Sequence, residues 1–208
     1  MIDMTVIAPT VCHILGIRPP SSSDNQALNK VIETLKPTER LIVIVIVALG
    51  MATWRRAWDY TPTLNKLEEN HGTVIHSVMK SITPVNFATM LTGASPEIHG
   101  ITDRTMPLRH ETIFDVLREE GMSSATAARG QSSLGILISP QADHPGLAES
   151  NLDKDVIMIA NSMLGEGHNL IWVQLLDVDD AGHRYGPYSP KSLEAVIRAD
   201  ENLKTILE

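Results

Sequence analysis

The sequence predicts an α/β fold with a doubly wound, mostly parallel sheet flanked by helices. Residues 41–47 form an unbroken run of Leu, Ile and Val, which is typical of a strand covered on both faces. After this run, short strand-like segments alternate with segments of helical periodicity, as in a parallel sheet built from strand-helix units. Ligands of such sheets bind beyond the carboxyl ends of the strands. Polar residues that directly follow a strand are therefore the first candidates for a functional site.

The order of the elements divides the chain into two parts. Residues 1–40 form a helical lead-in and linker, because an apolar helical pattern over residues 5–17 ends at Gly16 and is followed by a loop rich in Pro and Ser. Residues 41–208 form the α/β domain, with residues 41–47 as its central strand. Further strands are predicted at 73–78, 124–128, 135–138 and 170–176, and helices at 62–70, 84–92, 111–120, 153–164 and 189–207.

Composition limits the function classes. A chain of 208 residues suits one well-buried domain. Its net charge of -8 argues against a nucleic-acid partner, since binding to a phosphate backbone needs clustered Lys and Arg. Cys12 is the single cysteine, so neither an internal disulfide nor a cysteine zinc cluster is expected, and a cytoplasmic location fits. We expect no signal peptide and no membrane partner, because the apolar run at 41–49 is far shorter than the roughly 20 residues of a spanning helix.

The segment 177–187 (DVDDAGHRYGP) follows the last predicted strand and places Asp179 four residues before His183. Carboxylate oxygen and imidazole nitrogen together suit a divalent cation. Gly182 is expected to bend the backbone so that the two side chains converge. Asp177 and Asp180 are expected to cap the loop or to support the ligand pair. The alternative for the three aspartates is an ordinary acidic loop.

A second motif lies upstream, where Thr83 directly precedes a proline that can open a helix. Thr83 then lies at a helix start, where backbone amides favour an anion. Asn86 follows three positions later. The alternatives are that Thr83 caps this helix and that Asn86 is a polar residue facing solvent.

Together the two motifs resemble the nucleotide pyrophosphatase/phosphodiesterase branch of the alkaline phosphatase superfamily. In that branch a threonine nucleophile precedes an asparagine by three positions, and an aspartate lies four residues before a histidine that is followed by Gly-Pro. Thr83, Asn86, Asp179 and His183 match, as does the pair Gly186-Pro187. The resemblance covers about residues 41–208.

The resemblance implies an alkaline-phosphatase-like fold and a metal-dependent hydrolase of phosphodiesters or phosphomonoesters. Thr83 would be the nucleophile, and Asn86 would donate its amide to a phosphate oxygen. Asp179, His183 and Thr83 would bind divalent metal, with Zn expected ahead of Mn. The implied ligand is a small phosphate ester or nucleotide.

Two features depart from the family pattern. Val47 stands where the family has an aspartate that binds the second metal, and no Asp-His-Gly motif lies between His183 and Glu208. The resemblance therefore implies a truncated or degenerate member, with the C-terminal part of the fold missing and a single-metal or metal-free site. The exposed sheet edge of such a chain would favour a homo-oligomer. Three interpretations stay open: a fragment of a longer enzyme, a domain that completes its site from another subunit, and a non-catalytic ligand-binding or interaction module on the same fold.

The other histidines are assigned no site role. His99 lies in a Pro-Glu-x-His-Gly turn and is expected to make a structural hydrogen bond. The remaining ones without a motif are expected at the surface: His71, His76, His110, His144 and His168.

Overall fold

The computed structural model describes residues 2–208, without the side chains of Asn70 and His71. The surface position predicted for His71 therefore lies outside the described residues. The strands are β1 (Leu41–Ile46), β2 (Ser124–Arg129), β3 (His144–Ala148) and β4 (Leu170–Leu175). They form one parallel sheet in the order β1-β4-β2-β3. The predicted fold class, a parallel sheet flanked by helices, is confirmed.

The helices lie on both faces of this sheet and around its carboxyl edge. They are α1 (Ile7–Leu15), α2 (Asn29–Thr34), α3 (Met51–Ala57), α4 (Pro62–His71), α5 (Thr83–Thr92), α6 (Pro96–His99), α7 (Ile113–Glu119), α8 (Asp153–Glu166), α9 (Asp177–Tyr185) and α10 (Pro190–Leu207). Short 3-10 turns cover Met4–Val6, Trp58–Tyr60 and Ser139–Gln141, and a π-helix covers Leu134–Ile138. Within the described part of the chain, no helix is long and apolar enough to cross a bilayer.

Two hydrophobic clusters cover the sheet, one on each face, and a third packs α3, α9 and α10 together. The first contains Phe87 of α5, Phe114 of α7 and Trp172 of β4. Helix α1 belongs to it, since Val11, Cys12 and Leu15 are buried there. The second cluster packs α8 and the end of α10 against the opposite face of β2 and β4. The alternation of side chains along each strand places successive residues in different clusters.

The prediction that residues 41–47 form the central strand is wrong. β1 pairs only with β4, and all six of its residues are half-buried. The central position belongs to β4, whose six residues are all buried between β1 and β2. An unbroken apolar run indicates that both faces of a strand are covered, but it carries no information on the order of strands.

Two further strand predictions fail, and one strand is missed. Residues 73–78 contain only an isolated bridge between His76 and Asp3. Residues 135–138 belong to the π-helix, because a short apolar run fits a buried helix as well as a strand. The strand β3 is missed, since its Pro145 and Gly146 are unfavourable in strands and tolerated at an edge. Gly146 also leaves room for a helix, because a Cβ there would lie 2.4 Å from a methyl group of Ile159 on α8.

The expected structural hydrogen bond of His99 is confirmed. Its Nε2 lies 2.9 Å from Oγ1 of Thr89, and its Nδ1 accepts from the backbone N–H of Ile101 at 3.1 Å. His99 is buried, which lowers the pKa of its imidazole. The surface prediction fails for His168, which is buried and contacts Glu166 through Nε2 at 3.0 Å.

We predict that His99 makes the stability of the chain depend on pH. The unfolded chain takes up a proton on this side chain near its ordinary pKa of 6.5, whereas the buried imidazole resists protonation. The free energy of unfolding should therefore fall as the pH drops below 6.5. His99→Gln should flatten this dependence, measured by urea unfolding between about pH 5 and pH 8. The exposed His76 supplies the control, since His76→Gln should keep the original slope. An equal slope in both variants would contradict the assignment.

Candidate active site

The predicted site residues Thr83, Asp179 and His183 line one cleft of about 930 Å³. The cleft lies at the carboxyl ends of β2 and β4, where a parallel sheet is expected to bind its ligands. Its other walls come from the loop after α6, from the residues around the start of the π-helix and from β4. They include Asp103, Arg104, Thr105, Arg129, Ser132, Ser133, Gln174 and Asp180.

Thr83 is the first residue of α5 and is half-buried. Ile82 occupies the N-cap position, and no side chain caps the helix there. The alternative in which Thr83 caps the helix is therefore wrong. Among the described residues the Thr83 hydroxyl has no hydrogen-bond partner, so it is available to a ligand in the cleft. The amides of the first helical turn favour negative charge at this end.

Asn86 is buried, and both the oxygen and the nitrogen of its side-chain amide form hydrogen bonds to backbone groups. Its Oδ1 accepts from the N–H of Val78 at 3.1 Å, and its Nδ2 donates to the carbonyl of Ile82 at 3.0 Å. The alternative in which Asn86 faces solvent is wrong. These bonds hold the segment before α5 against the helix and so fix the position of Thr83, while the second N–H of Nδ2 is left for another acceptor.

Asp179 and His183 meet on α9, with Oδ1 and Nε2 3.4 Å apart. The predicted loop is a helix, and the expected bend at Gly182 does not occur. One helical turn brings side chains four residues apart together without any bend. The Asp179 side chain is 22% exposed and that of His183 is 82% exposed. Partial burial raises the pKa of Asp179, and the neighbouring His183 opposes this shift.

Arg129, at the end of β2, is the main structural residue of the site that the sequence reasoning missed. Its guanidinium is 5% exposed and binds three carboxylates. Nη2 donates to Asp153 at 2.7 Å and to Asp177, and Nη1 donates to Asp180 at 2.6 Å. Its signal in the sequence was its position directly after the predicted strand 124–128, the place where site residues are expected.

This cluster fixes the start of α9. The Asp153 carboxylate accepts from the backbone N–H groups of Leu176 and Asp177, both at 2.8 Å. The end of β2, the start of α8 and the start of α9 are thus joined through one cation. Asp177 and Asp180 support the helix that carries Asp179, in agreement with the supporting role considered for them.

The cluster carries a surplus of negative charge. Burial lowers the pKa of Arg129, but the carboxylates of Asp180 and Asp153 outweigh it and the pKa is raised. Burial, with the negative charge of Asp153, raises the pKa of Asp177. One guanidinium facing three carboxylates leaves a negative local field beside Asp179, which favours a cation.

Val47 follows the last residue of β1. It lines a second cleft of about 610 Å³ together with Thr83, Asn86 and Asp179. Among the residues that the structure describes, no group of three or more His, Cys, Asp or Glu side chains is arranged to hold a metal ion. The donors present, Asp179 and His183 with the Thr83 hydroxyl, fit part of the ligand set of one ion and do not fit a pair of ions.

The chain is an α/β protein with a parallel sheet and a cleft at the carboxyl ends of its strands. The family model for type I phosphodiesterase/nucleotide pyrophosphatase matches residues 41–123 and 107–208. The chain belongs to this family. A sequence search of curated proteins found no significant match.

Solved structures support the same fold. Phosphonoacetate hydrolase from Sinorhizobium meliloti 1021, solved with phosphonoacetate, is similar with a TM-score of 0.61 and 19% identity over 80% of this chain and 52% of the other. An inactive form of murine ectonucleotide pyrophosphatase/phosphodiesterase 5, solved with AMP, has a TM-score of 0.62 and 18% identity over 82% and 52%. The C-terminal periplasmic domain of EptC from Escherichia coli has a TM-score of 0.52 and 14% identity over 81% and 58%. The chain spans about half the length of the first two.

We predict that Arg129→Met destabilises the chain by about 3 kcal/mol or more, because three carboxylates would lose their common cation. The free energy of unfolding from urea denaturation measures this. Arg104→Met is the matched control, since Arg104 lines the same cleft but is exposed and should change stability by less than about 0.5 kcal/mol. Equal stability of the two variants would show that the cluster does not hold α9 in place.

Proposed function

We propose that this chain is a metal-dependent hydrolase of phosphodiesters or phosphomonoesters, with Thr83 as the nucleophile. The observation that carries this proposal is the unpartnered Thr83 hydroxyl at the start of α5, in one cleft with the contacting pair Asp179 and His183. Membership of the phosphodiesterase family supports the reaction class.

In this reaction the Thr83 oxygen attacks phosphorus, and the bond from phosphorus to the leaving-group oxygen breaks. The amides at the start of α5 face the negative charge on the phosphate oxygens, and the free N–H of Asn86 supplies a further donor nearby. The proton of the Thr83 hydroxyl passes to solvent water in the cleft as the new bond forms, and the leaving-group oxygen takes up a proton from solvent. A divalent ion, zinc or otherwise manganese, held by Asp179, His183 and Thr83 would supply charge neutralisation and lower the pKa of this hydroxyl. Water then releases the phosphoryl group from Thr83.

A second candidate function is a non-catalytic module that binds a phosphate ester or a partner on the same fold. The observation that favours it is Val47, since valine cannot ligate a metal where the family pattern has an aspartate. Without a second ion, the Asp179–His183 pair is the one group in the described cleft lining that could help to deprotonate the Thr83 hydroxyl.

For the ligand we infer a small phosphate ester or nucleotide. One similar structure was solved with AMP, which is a nucleotide, and another with phosphonoacetate, a small phosphonate of similar anionic character. We also infer a homo-oligomer, because β1 pairs only with β4 in the described sheet and leaves one strand edge open.

We predict that Thr83→Ala lowers the hydrolysis of bis(p-nitrophenyl) phosphate, assayed with Zn or Mn, by about two orders of magnitude or more, because the attacking oxygen is lost. Thr205→Ala is the matched control, since Thr205 lies exposed on α10 and bonds only to the carbonyl of Glu201. This control should keep the wild-type rate.

We predict that Val47→Asp raises the same rate, because it returns a carboxylate to the wall of the cleft that Thr83 and Asp179 share. Steady-state kinetics with each metal measure the change. If the wild type, Thr83→Ala and Val47→Asp all hydrolyse the ester at the same background rate, the hydrolase is rejected and the binding module is favoured.

A further inference from the structure

Residues 2–24, here called the N-terminal segment, bond to the chain just before helix α5 and just after it. Between these two contacts lies α1, whose buried Val11 and Leu15 share a hydrophobic cluster with Phe87 and Leu91 of α5. Residues 25–40, which follow, contain no buried residue. The N-terminal segment is therefore attached to the domain by its own contacts rather than by the linker behind it.

The first contact is a backbone pairing ahead of α5. The N–H of Met4 donates to the carbonyl of His76 at 3.1 Å, and the N–H of His76 donates to the carbonyl of Ile2 at 3.0 Å. This is the parallel bridge between Asp3 and His76. The Asp3 carboxylate also accepts from the N–H of Thr5 at 3.0 Å, which fixes the turn that opens into α1.

Residues 72–82 lead from this bridge into α5 and have little burial of their own. Val78 is the one buried residue among them, and its N–H donates to Oδ1 of Asn86 at 3.1 Å. A stretch with few buried side chains opens locally at a low free energy unless hydrogen bonds hold it. The bonds at His76 and Val78 therefore set the path of the chain into the helix, and with it the position of Thr83.

The second contact lies directly after α5. The N–H of Asp24 donates to the carbonyl of Gly93 at 2.9 Å, and the Asp24 carboxylate accepts from the N–H of Ser95 at 2.7 Å. The Ser23 hydroxyl donates to the carbonyl of Thr92 at 3.0 Å. Gly93 has a φ of +69°, and a Cβ there would lie 2.2 Å from the Ser23 oxygen, so this close approach requires glycine.

The position of α5 matters for the proposed attack on phosphorus. The Thr83 oxygen must lie at a fixed place relative to Asp179 and His183, because a misplacement of about 1 Å can lower a rate about 100-fold. Arg129 and its three aspartates fix α9, which carries the acid-imidazole pair. The N-terminal segment contacts the other side of the site, at both ends of the helix that Thr83 begins.

We propose that the N-terminal segment is a positioning element of the site, which sets the place of Thr83 by binding the chain on both sides of α5. Its positioning residues are Met4, through its backbone N–H, and Asp24, through its carboxylate. The inference rests on the proposed function for the role of Thr83 as nucleophile.

Met4→Pro tests the first contact, because proline has no N–H to donate to His76. Asp3 is extended, with φ −124° and ψ −178°, and Met4 is the first residue of a 3-10 turn, so proline fits this position. Met4→Ala is the matched control, since it removes the side chain and keeps the N–H. We expect the Val78 amide to exchange hydrogen about fivefold faster in Met4→Pro than in Met4→Ala, measured by NMR.

Asp24→Ala tests the second contact, because it removes the acceptor of the Ser95 N–H. Asp24→Asn is the conservative variant, since its side-chain oxygen still accepts a hydrogen bond. With bis(p-nitrophenyl) phosphate, we expect kcat per folded molecule to be at least about threefold lower in Asp24→Ala than in Asp24→Asn, and in Met4→Pro than in Met4→Ala, with equal KM within each pair. A merely structural role would lower the free energy of unfolding, measured with urea, and leave kcat per folded molecule equal within each pair.

The exchange measurement does not need turnover, so it separates this inference from the proposed function. Faster exchange in Met4→Pro without hydrolysis by any form of the chain retains the positioning element and rejects the hydrolase. Hydrolysis with equal kcat within each pair retains the hydrolase and overturns the positioning element, and so does equal exchange of the Val78 amide in Met4→Pro and Met4→Ala.

Discussion

The buried guanidinium of Arg129 is the interaction on which the geometry of the site depends. It joins carboxylates from the start of α8 and from α9 to the end of β2. Displacing one of these elements would leave the buried guanidinium or the buried Asp153 carboxylate without its partner, so the cluster tolerates little movement. Because Asp179 and His183 lie on the helix that this cluster holds, their place at the cleft follows from Arg129 more than from their own contact.

The other half of the site is fixed by neutral hydrogen bonds. Asn86 ties the segment before α5 to the start of the helix, and Thr83 begins that helix with its hydroxyl unbonded. The two halves come from distant parts of the chain. Asp179 follows the carboxyl end of β4, whereas Thr83 begins α5, which packs on one face of the sheet. The site thus combines a charged, rigid side with a neutral one, and Thr83 lies between them.

Family membership and an incomplete donor set coexist in this chain without conflict. The fold depends on apolar runs such as β1 and β4 and on the helices that cover them, and none of these requires a metal ligand. The chemistry depends on a few side chains at strand ends, which can change while the core stays the same. The Val47 side chain continues the apolar run beyond the end of β1 and lines the wall beside Thr83.

Much of the fold was predictable because its signals are local. The apolar runs of β1 and β4 and the glycine that ends α1 could be located without any tertiary information. β3 could not, because its Pro and Gly oppose a strand and only its edge position tolerates them. The π-helix at Leu134–Ile138 was taken for a strand, since a short apolar run reports burial and not conformation.

The sequence by itself determined the fold class and the candidates Thr83, Asn86, Asp179 and His183, because motif spacing and apolar periodicity are properties of contiguous residues. Only the tertiary structure decided that β4 is central, that Asp179 and His183 share a helix, and that Arg129 gathers three aspartates. It alone also placed Val47 and Thr83 in one cleft. The physical reason is that a local sequence pattern shows whether a side chain is buried. Which residues it contacts across the sheet depends on the order and connection of the strands, which no short segment encodes.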